Sequence, residues 1–214
     1  MKEKFETEQE IFWAGEFGSD YIKRNNAAKT VSAKTGLFCK VLSNTKNVST
    51  VLEIGSNIGL NLIAIKNLIP SCTCSAIEIN AVAVQQLKTI PNVKVFEGSA
   101  FQFTHEQLGK YDFTFTSGVL IHINPEKLSQ VYELLYSCST KYIMVNEYYN
   151  PSPVEVIYRG HSQKLFKRDF AGDLLEKYSD LELIDYGFQY HKDNNFPLDD
   201  CTWFLLMKKQ KVAE

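Results

Sequence analysis

The sequence predicts an α/β fold in which helices cover both faces of a mostly parallel sheet. Short strand-like runs alternate with helical patterns along most of the chain, and this alternation is typical of β-α-β units. With 214 residues, the chain is long enough for one domain with a substantial core. Because no internal repeat, low-complexity run or linker interrupts it, we predict a single domain over residues 1–214.

The apolar patterns place the individual elements. The predicted strands are 50–54, 73–77, 94–97, 112–116, 141–146, 181–189 and 202–208, and the predicted helices are 27–42, 60–68, 81–89, 126–138 and 168–177. No helix separates the last two strands, so we expect them to pair as an antiparallel hairpin that closes the sheet.

Composition argues against several classes of protein. The formal net charge is −2, so no global field attracts nucleic acid. No apolar run approaches the ~20 residues that span a bilayer, and the charged N-terminus lacks the apolar core of a signal peptide. The cysteines have no Cys-x-x-Cys spacing. We therefore expect a cytoplasmic protein with reduced thiols, no membrane partner and no metal site.

The most informative stretch is residues 51–61, which predict a buried strand, a glycine-bearing turn and the start of a helix. Such a turn brings the backbone close to a ligand at the carboxyl edge of a sheet. Glu78 ends the next predicted strand about 20 residues later, where these folds place a carboxylate that binds ribose hydroxyls. The two features together predict a nucleoside-containing cofactor.

The turn does not fit a dinucleotide. A G-x-G-x-x-G fingerprint would need glycine where Asn57 and Leu60 stand. The run instead resembles motif I of class I S-adenosylmethionine (SAM) methyltransferases, E/D-x-G-x-G-x-G, with matches at Glu53, Gly55 and Gly59. Asparagine tolerates a left-handed backbone, so Asn57 can replace the middle glycine. A plain strand-to-helix turn is the alternative.

This resemblance implies a Rossmann-like class I methyltransferase fold, with a seven-stranded, mostly parallel sheet and an antiparallel last strand. It also implies SAM as the cofactor and S-adenosylhomocysteine (SAH) as its product. The implied cofactor contacts are Glu53, Gly55, Ser56, Asn57, Gly59, Asn61, Glu78, Ile79, Gly98, Ser99, Ala100, Ser117, Gly118 and Val119. Ser99 stands where the family often has the aspartate that contacts adenine, so its hydroxyl or the Ala100 backbone is expected there. A strand-ending turn is the alternative for Ser99.

Two candidate catalytic residues flank the expected cofactor. Residues 116–126 resemble the segment after strand four of small-molecule methyltransferases, which places His122 above the cofactor as a general base or substrate orienter. A buried structural histidine is the alternative. Residues 1–45 are expected to form a strap and a helix that cover the site. Tyr21, in the aromatic-rich part of this strap, is the second candidate.

Nucleic-acid methyltransferase motifs are missing after the fourth strand. The [DNS]-P-P-[YFW] motif is reduced to Asn124-Pro125, and no Pro-Cys nucleophile is present. The adjacent acidic pair Asp199-Asp200 is predicted to form the turn before the last strand rather than to bind a metal.

Residues 147–167 are predicted to form an insertion that shapes an acceptor pocket. It follows the fifth strand, at the edge where open α/β sheets bind ligands. Tyr148 and Tyr149, with Arg159 in the insertion and Arg168 just beyond it, suit an anionic, hydroxyl-rich acceptor. A solvated basic face is the alternative.

Several segments together are similar to the pseudaminic acid biosynthesis-associated methylases. They are residues 12–25, 52–62, 147–160, 165–178 and 196–208. The resemblance runs over nearly the whole chain and implies a methyltransferase that acts on a nonulosonic acid sugar or a related nucleotide-sugar of bacterial surface glycans. A protein or RNA methyltransferase, or a SAM-binding protein without turnover, remains an alternative, and the oligomeric state is open.

Overall fold

The computed structural model describes residues 5–22 and 27–209. Its helices are α1 (Glu8–Ala14), α2 (Glu16–Ile22), α3 (Ala27–Ser43), α4 (Leu60–Leu68), α5 (Ala81–Leu87), α6 (His105–Leu108), α7 (Leu128–Cys138) and α8 (Phe170–Lys177). Its strands are β1 (Thr50–Ile54), β2 (Thr73–Glu78), β3 (Val93–Glu97), β4 (Tyr111–Ser117), β5 (Ser139–Glu147), β6 (Val154–Glu155), β7 (Phe166–Lys167), β8 (Leu181–Phe188) and β9 (Thr202–Lys208).

The main sheet has seven strands in the order β3-β2-β1-β4-β5-β9-β8. Strands β1 to β5 form the parallel part of this sheet. Strand β9 runs antiparallel to both of its neighbours, β5 and β8. The predicted fold class and the closing hairpin are therefore confirmed. Because β1 is flanked by β2 on one side and β4 on the other, the strand order reverses at β1, and a crevice opens at its carboxyl end.

The core lies on both faces of the sheet because successive strand residues point to opposite sides. On β1, Leu52 packs in a cluster with apolar residues of α7 and α8. Its neighbour Val51 packs in a second cluster with residues of α3 and α4. Helices thus cover both faces, as the alternating sequence pattern predicts.

The N-terminal segment folds as two short helices rather than one. A capping box between Thr7 and Glu10 starts α1, and Gly15 ends it with an extended backbone. Asn80, which caps α5, ties this segment to the sheet, since its side-chain amide donates to the Trp13 carbonyl at 3.1 Å and to Ser19 Oγ at 3.2 Å. Residues 1–4 and 23–26 of the predicted strap lie outside the described residues.

Besides α1 and α2, other short elements are absent from the sequence prediction. The helix α6 is a single turn, and β6 and β7 form a separate two-stranded sheet within the predicted insertion. Elements this short leave no usable periodicity in the sequence. Among the described helices, none is long and apolar enough to cross a membrane.

Candidate active site

A cavity lies at the carboxyl edge of the parallel strands, where the strand order reverses. Its walls include the predicted residues Tyr21, Gly55, Ser56, Asn57, Asn61, Glu78, Ile79, Gly98, Ser99, Ala100, Ser117, Gly118, Val119 and His122. Helices α1 and α2 supply part of its lining, and the connection between β8 and β9 supplies another part. The turns after four neighbouring strands thus face one space.

The turn after β1 is tight. Gly55 has φ +75°, and a Cβ there would lie 2.5 Å from the side chain of Val119. Asn57 has φ 48°, which confirms its predicted left-handed backbone. Its N–H donates to Glu78 at 2.6 Å, while its side-chain Oδ1 is buried and has no hydrogen-bond partner in the described part of the chain.

Glu78 is held by the backbone on both of its oxygens. Oε2 accepts the N–H of Asn57 at 2.6 Å, and Oε1 accepts the N–H of Asn80 at 2.7 Å. Burial raises the pKa of this carboxyl group, whereas the backbone hydrogen bonds oppose the shift. The carboxylate therefore has a fixed direction at the cavity wall and keeps lone pairs that can accept ligand hydroxyls.

The turn after β3 is organised by its own side chains. Ser99 Oγ accepts the N–H of Phe101 at 3.3 Å, and the Ser99 N–H donates to Gln102 at 3.1 Å. The hydroxyl of Ser99 thus acts as a helix cap, the role that the turn alternative assigned to it, while Ser99 and Ala100 both line the cavity.

The turn after β4 depends on a buried carboxylate that the sequence analysis did not assign a role. Glu147, the last residue of β5, accepts the N–H groups of Val119 at 3.0 Å and Leu120 at 3.1 Å. Burial raises its pKa to about 7. Gly118 has φ +68° and open space where a side chain would project. An acidic residue ending an apolar strand is the signal that marks Glu147 in the sequence.

His122 is buried and neutral. Its Nδ1 lies 2.6 Å from the Lys164 carbonyl. A carbonyl oxygen only accepts, so the proton sits on Nδ1 and Nε2 keeps its lone pair. Burial lowers the pKa of His122 to about 4. Its ring centroid lies 4.5 Å from that of Trp13 and 5.0 Å from that of Tyr158.

Tyr21 also lines the cavity, and it shares a neighbour with His122. Its ring centroid is 5.5 Å from that of Trp13, which also contacts His122. Burial is the main cause that raises the pKa of Tyr21 to about 12, and nearby Tyr158 and Asp199 add to it. Its hydroxyl is therefore protonated at neutral pH and can donate to a ligand.

Glu53 and Gly59 do not line the cavity, in contrast to the other predicted cofactor residues. Glu53 is fully buried because it shares the face of β1 that packs against α3 and α4. It accepts from Asn61 at 2.6 Å, and Asn61 accepts from Lys34 at 2.7 Å. At Gly59, with φ +81°, a Cβ would lie 2.7 Å from Leu87, so this glycine serves close packing.

Lys34 is a cavity residue that the sequence analysis missed. It is partly buried on α3 and lines the cavity beside Asn61. Burial lowers its pKa, and the nearby Glu53 opposes that shift. Helix α3 was predicted, but its apolar pattern does not show which polar residue turns toward the sheet edge.

None of the four predicted acceptor residues is among the described residues that line the cavity. Arg168 pairs with Asp173 through Nε at 2.8 Å and lies in a separate depression with Tyr132 and Lys177, apart from the cavity. Its partner lies five residues along the chain, in α8. Tyr149 is 42% exposed.

Tyr148 and Arg159 do not line the cavity, but both lie close to the lining residues Tyr21 and Asp199. Tyr148 is partly buried, and burial together with nearby Asp199 raises its pKa. Arg159 is exposed, has a left-handed backbone with φ 51°, and lies 5.7 Å from the ring of Tyr158. Tyr21 and Asp199 are close enough to influence the pKa of Arg159.

The connection between β8 and β9 also reaches the cavity. Asp199 and Cys201 line it, while Asp200 pairs with His191 at 2.8 Å. The predicted turn before the last strand is therefore present, and one of its two acidic residues faces the site. Because β8 runs parallel to β5, its carboxyl end is on the same edge as the cavity. Within the described residues, no cluster of three or more His, Cys, Asp or Glu side chains could hold a metal ion.

No protein-family model and no curated protein matches the sequence, so membership of the pseudaminic acid-associated family is not confirmed. Solved methyltransferases are similar in fold. The plantazolicin methyltransferase BpumL in complex with SAH has a TM-score of 0.65 at 13% identity, and the match covers 94% of each chain. Magnesium protoporphyrin IX methyltransferase (ChlM) from Synechocystis PCC 6803 with bound SAM has a TM-score of 0.63 at 13% identity, covering 95% of this chain and 99% of the other.

The N-terminal domain of EvdMO1 with SAH bound has a TM-score of 0.59 at 13% identity, covering 83% of this chain and 81% of that domain. The chain therefore has the Rossmann-like fold of class I methyltransferases.

Proposed function

We propose that the chain is a SAM-dependent methyltransferase that acts on a small, sugar-like acceptor in the cytoplasm. The observation that carries the proposal is the position of Glu78. Its carboxylate is held by two backbone N–H groups and lies on the wall of a cavity that the turns after β1, β3 and β4 also line. The solved structures of similar fold bind SAM or SAH.

The cavity fits the polar groups of SAM. Glu78 offers acceptors for the two ribose hydroxyls, and the turn at Ser99 and Ala100 offers backbone groups for the adenine edge. Asn57 and Asn146 each leave a buried side-chain oxygen without a partner in the described part of the chain. Gly118 leaves room for a ligand chain to pass close to the backbone.

When bound, SAM supplies an activated methyl group. The protein contributes orientation and a proton acceptor. His122 Nε2 would accept the proton that an acceptor hydroxyl loses as its oxygen bonds to the methyl carbon. Because the pKa of His122 is about 4, His122 is a weak base, and proton transfer should occur late, after most of the new bond has formed. Tyr21 would hold the acceptor by donating a hydrogen bond from its hydroxyl group.

A hydroxyl-rich acceptor suits the side chains that surround Tyr21 and Asp199. Tyr158 is close enough to raise the pKa of both Tyr21 and Tyr148, and Tyr21 also adds to the raised pKa of Tyr148. Asp199 can accept hydrogen bonds from acceptor hydroxyls, and Arg159 can pair with an acceptor carboxylate. The family resemblance of the sequence points in the same direction, toward a nonulosonic acid or its nucleotide-activated form.

The test uses SAM with a trideuterated methyl group. The protein is incubated with nonulosonic acids, with their nucleotide-activated forms and, separately, with bacterial protein and RNA fractions, and each is analysed by mass spectrometry. We expect the label in a sugar fraction alone. Label in protein or RNA would refute the acceptor class, and SAM binding without turnover on any fraction would refute the activity.

Two variants sharpen the test. His122→Gln should lose most turnover and keep SAH affinity, because the side chain acts on the acceptor. Tyr148→Phe should raise the acceptor KM, whereas Tyr149→Phe, at an exposed neighbouring position, should leave it unchanged. Equal effects of the two tyrosine variants would remove Tyr148 from the acceptor pocket.

A further inference from the structure

We propose that Lys34 and Asn146 recognise the two charged ends of the amino-acid group of SAM, with the carboxylate on Lys34 and the ammonium on Asn146 Oδ1. The inference rests on the proposed function and assigns residues to one part of that site. It starts from two side chains that line the cavity and to which the sequence analysis gave no role.

Lys34 is the cation of the cavity wall. Among the described residues that line the cavity, no other lysine or arginine is present. Within the described part of the chain, Lys34 Nζ donates one hydrogen bond, at 2.7 Å to Asn61 Oδ1, which leaves two of its three ammonium protons for a ligand. A carboxylate that enters this cavity therefore finds its opposite charge at Lys34.

The surroundings of Lys34 add to this preference. Asn61 lies in the first turn of α4, where the helix presents unpaired backbone N–H groups and a partial positive charge. Asn61 also donates to Glu53, whose buried carboxylate holds the Lys34–Asn61 pair in place. Lys34 is thus fixed next to the turn after β1, at the start of α4.

Asn146 offers an acceptor in the same cavity. Its Nδ2 donates to Ser117 Oγ at 2.9 Å, which leaves Oδ1 as the free end of the amide. Oδ1 is buried and has no hydrogen-bond partner among the described residues, and Asn146 itself is only 4% exposed. A buried acceptor without a partner is costly, and a ligand ammonium group would satisfy it.

The two residues together match a zwitterion. A carboxylate at Lys34 and an ammonium at Asn146 each meet a complementary group, whereas the reverse orientation would put two cations together. A free acceptor carboxylate would use Lys34 alone and would leave Asn146 Oδ1 unsatisfied. The pair therefore favours an α-amino acid group over a simple carboxylate.

Three ligands separate the two contacts. SAH carries both charged groups, decarboxylated SAH keeps only the amine, and 5′-methylthioadenosine has neither. Affinities are measured by isothermal titration calorimetry for the wild type, Lys34→Met and Asn146→Leu. Lys29→Met is the matched control, because Lys29 is an exposed lysine on the same helix.

We expect Lys34→Met to weaken SAH binding by about 10-fold or more, since a charge-assisted hydrogen bond is lost. The same variant should leave decarboxylated SAH and 5′-methylthioadenosine unchanged. Asn146→Leu should weaken SAH and decarboxylated SAH and spare 5′-methylthioadenosine. Lys34→Arg keeps the charge and should retain most of the SAH affinity, and Lys29→Met should bind all three ligands as the wild type does.

Two results would overturn the inference. Unchanged SAH affinity in a folded Lys34→Met variant would move the carboxylate elsewhere, and a raised acceptor KM in that variant would assign Lys34 to the acceptor. Equal loss of all three ligands would indicate a structural role, which thermal unfolding of each variant measures independently. If the wild type binds neither SAH nor 5′-methylthioadenosine, the proposed function itself fails.

Discussion

Replacing Glu78 by glutamine should separate ligand binding from folding at the site. The substitution keeps the size of the side chain but gives it one oxygen in place of two. In the wild type, one oxygen accepts from Asn57 at 2.6 Å and the other from Asn80 at 2.7 Å. The amide can satisfy only one of these N–H groups and turns a donor toward the other.

The magnitude follows from the hydrogen bonds lost. One buried N–H group without a partner costs roughly 1–3 kcal/mol of folding stability. If ribose hydroxyls donate to Glu78, each charge-assisted bond lost is worth roughly 1.5–3 kcal/mol of binding free energy. Loss of two such bonds should weaken SAH binding about 100-fold or more.

The assay is calorimetry with SAH and with its 2′-deoxy analogue. The wild type should prefer SAH strongly, and Glu78→Gln should bind both ligands with similar, weak affinity. Glu97→Gln is the matched control, because Glu97 is the register partner of Glu78 on β3 and is exposed. An undiminished preference for the 2′-hydroxyl in a folded Glu78→Gln variant would refute the assignment of Glu78 to the ribose.

Further predictions concern pH, the cavity wall, an ion pair and metals. The pKa of His122 is about 4 in the folded state and about 6.5 in the unfolded state. The folding stability that comes from burying the neutral ring is therefore fully present above pH 6.5 and is lost as the pH falls toward 4. Over this pH range, the free energy of unfolding in urea should fall by up to about 3 kcal/mol more for the wild type than for His122→Phe. The same pH dependence in both proteins would contradict the prediction. Gly118→Ala and Gly109→Ala both place a Cβ in open space at positive φ and should each lose about 1 kcal/mol of stability; only Gly118→Ala should also weaken SAH binding, as calorimetry would show. Arg168→Ala should lower the melting temperature through the broken Asp173 pair and leave the acceptor KM unchanged, whereas a raised KM in a stable variant would return Arg168 to the pocket. Because no metal is expected to take part, a chelator should not reduce turnover. Loss of turnover after chelation that added magnesium restores would contradict this prediction.

The fold could be predicted almost completely because its pattern is periodic. The alternation of strands and helices fixed the parallel sheet, and the missing helix between β8 and β9 identified the closing hairpin. The strand from Thr202 to Lys208 was predicted to the residue. Segments without periodicity were not predictable in the same way, and β6 and β7 in the insertion are examples.

The turns of the site were predictable for a geometric reason. The carboxyl ends of parallel strands share one edge, so polar residues placed after them converge whatever the details of packing. The face of the sheet to which a strand residue points was harder to predict. Glu53 was expected beside the cofactor, yet its side chain points into the face covered by α3 and α4, and Asn61 stands between it and Lys34.

Long-range partners were not predictable from one sequence. The role of Glu147 depends on two backbone N–H groups that are 28 and 27 residues away in the chain. Asp199 faces the cavity only because β8 runs parallel to β5 and its connection to β9 therefore turns at the same edge. The residues around Asp199 do not predict this strand arrangement.

His122 shows why a catalytic and a structural role need not exclude each other. From the sequence alone, His122 fits either a general base or a buried structural histidine. In the structure, Nδ1 binds the Lys164 carbonyl and so ties the turn after β4 to the insertion between β5 and α8. That bond fixes the tautomer, and the fixed tautomer leaves the lone pair of Nε2 available to a ligand in the cavity. Burial keeps the ring neutral, and the contact that ties the loop to the insertion sets the tautomer that a base at Nε2 requires.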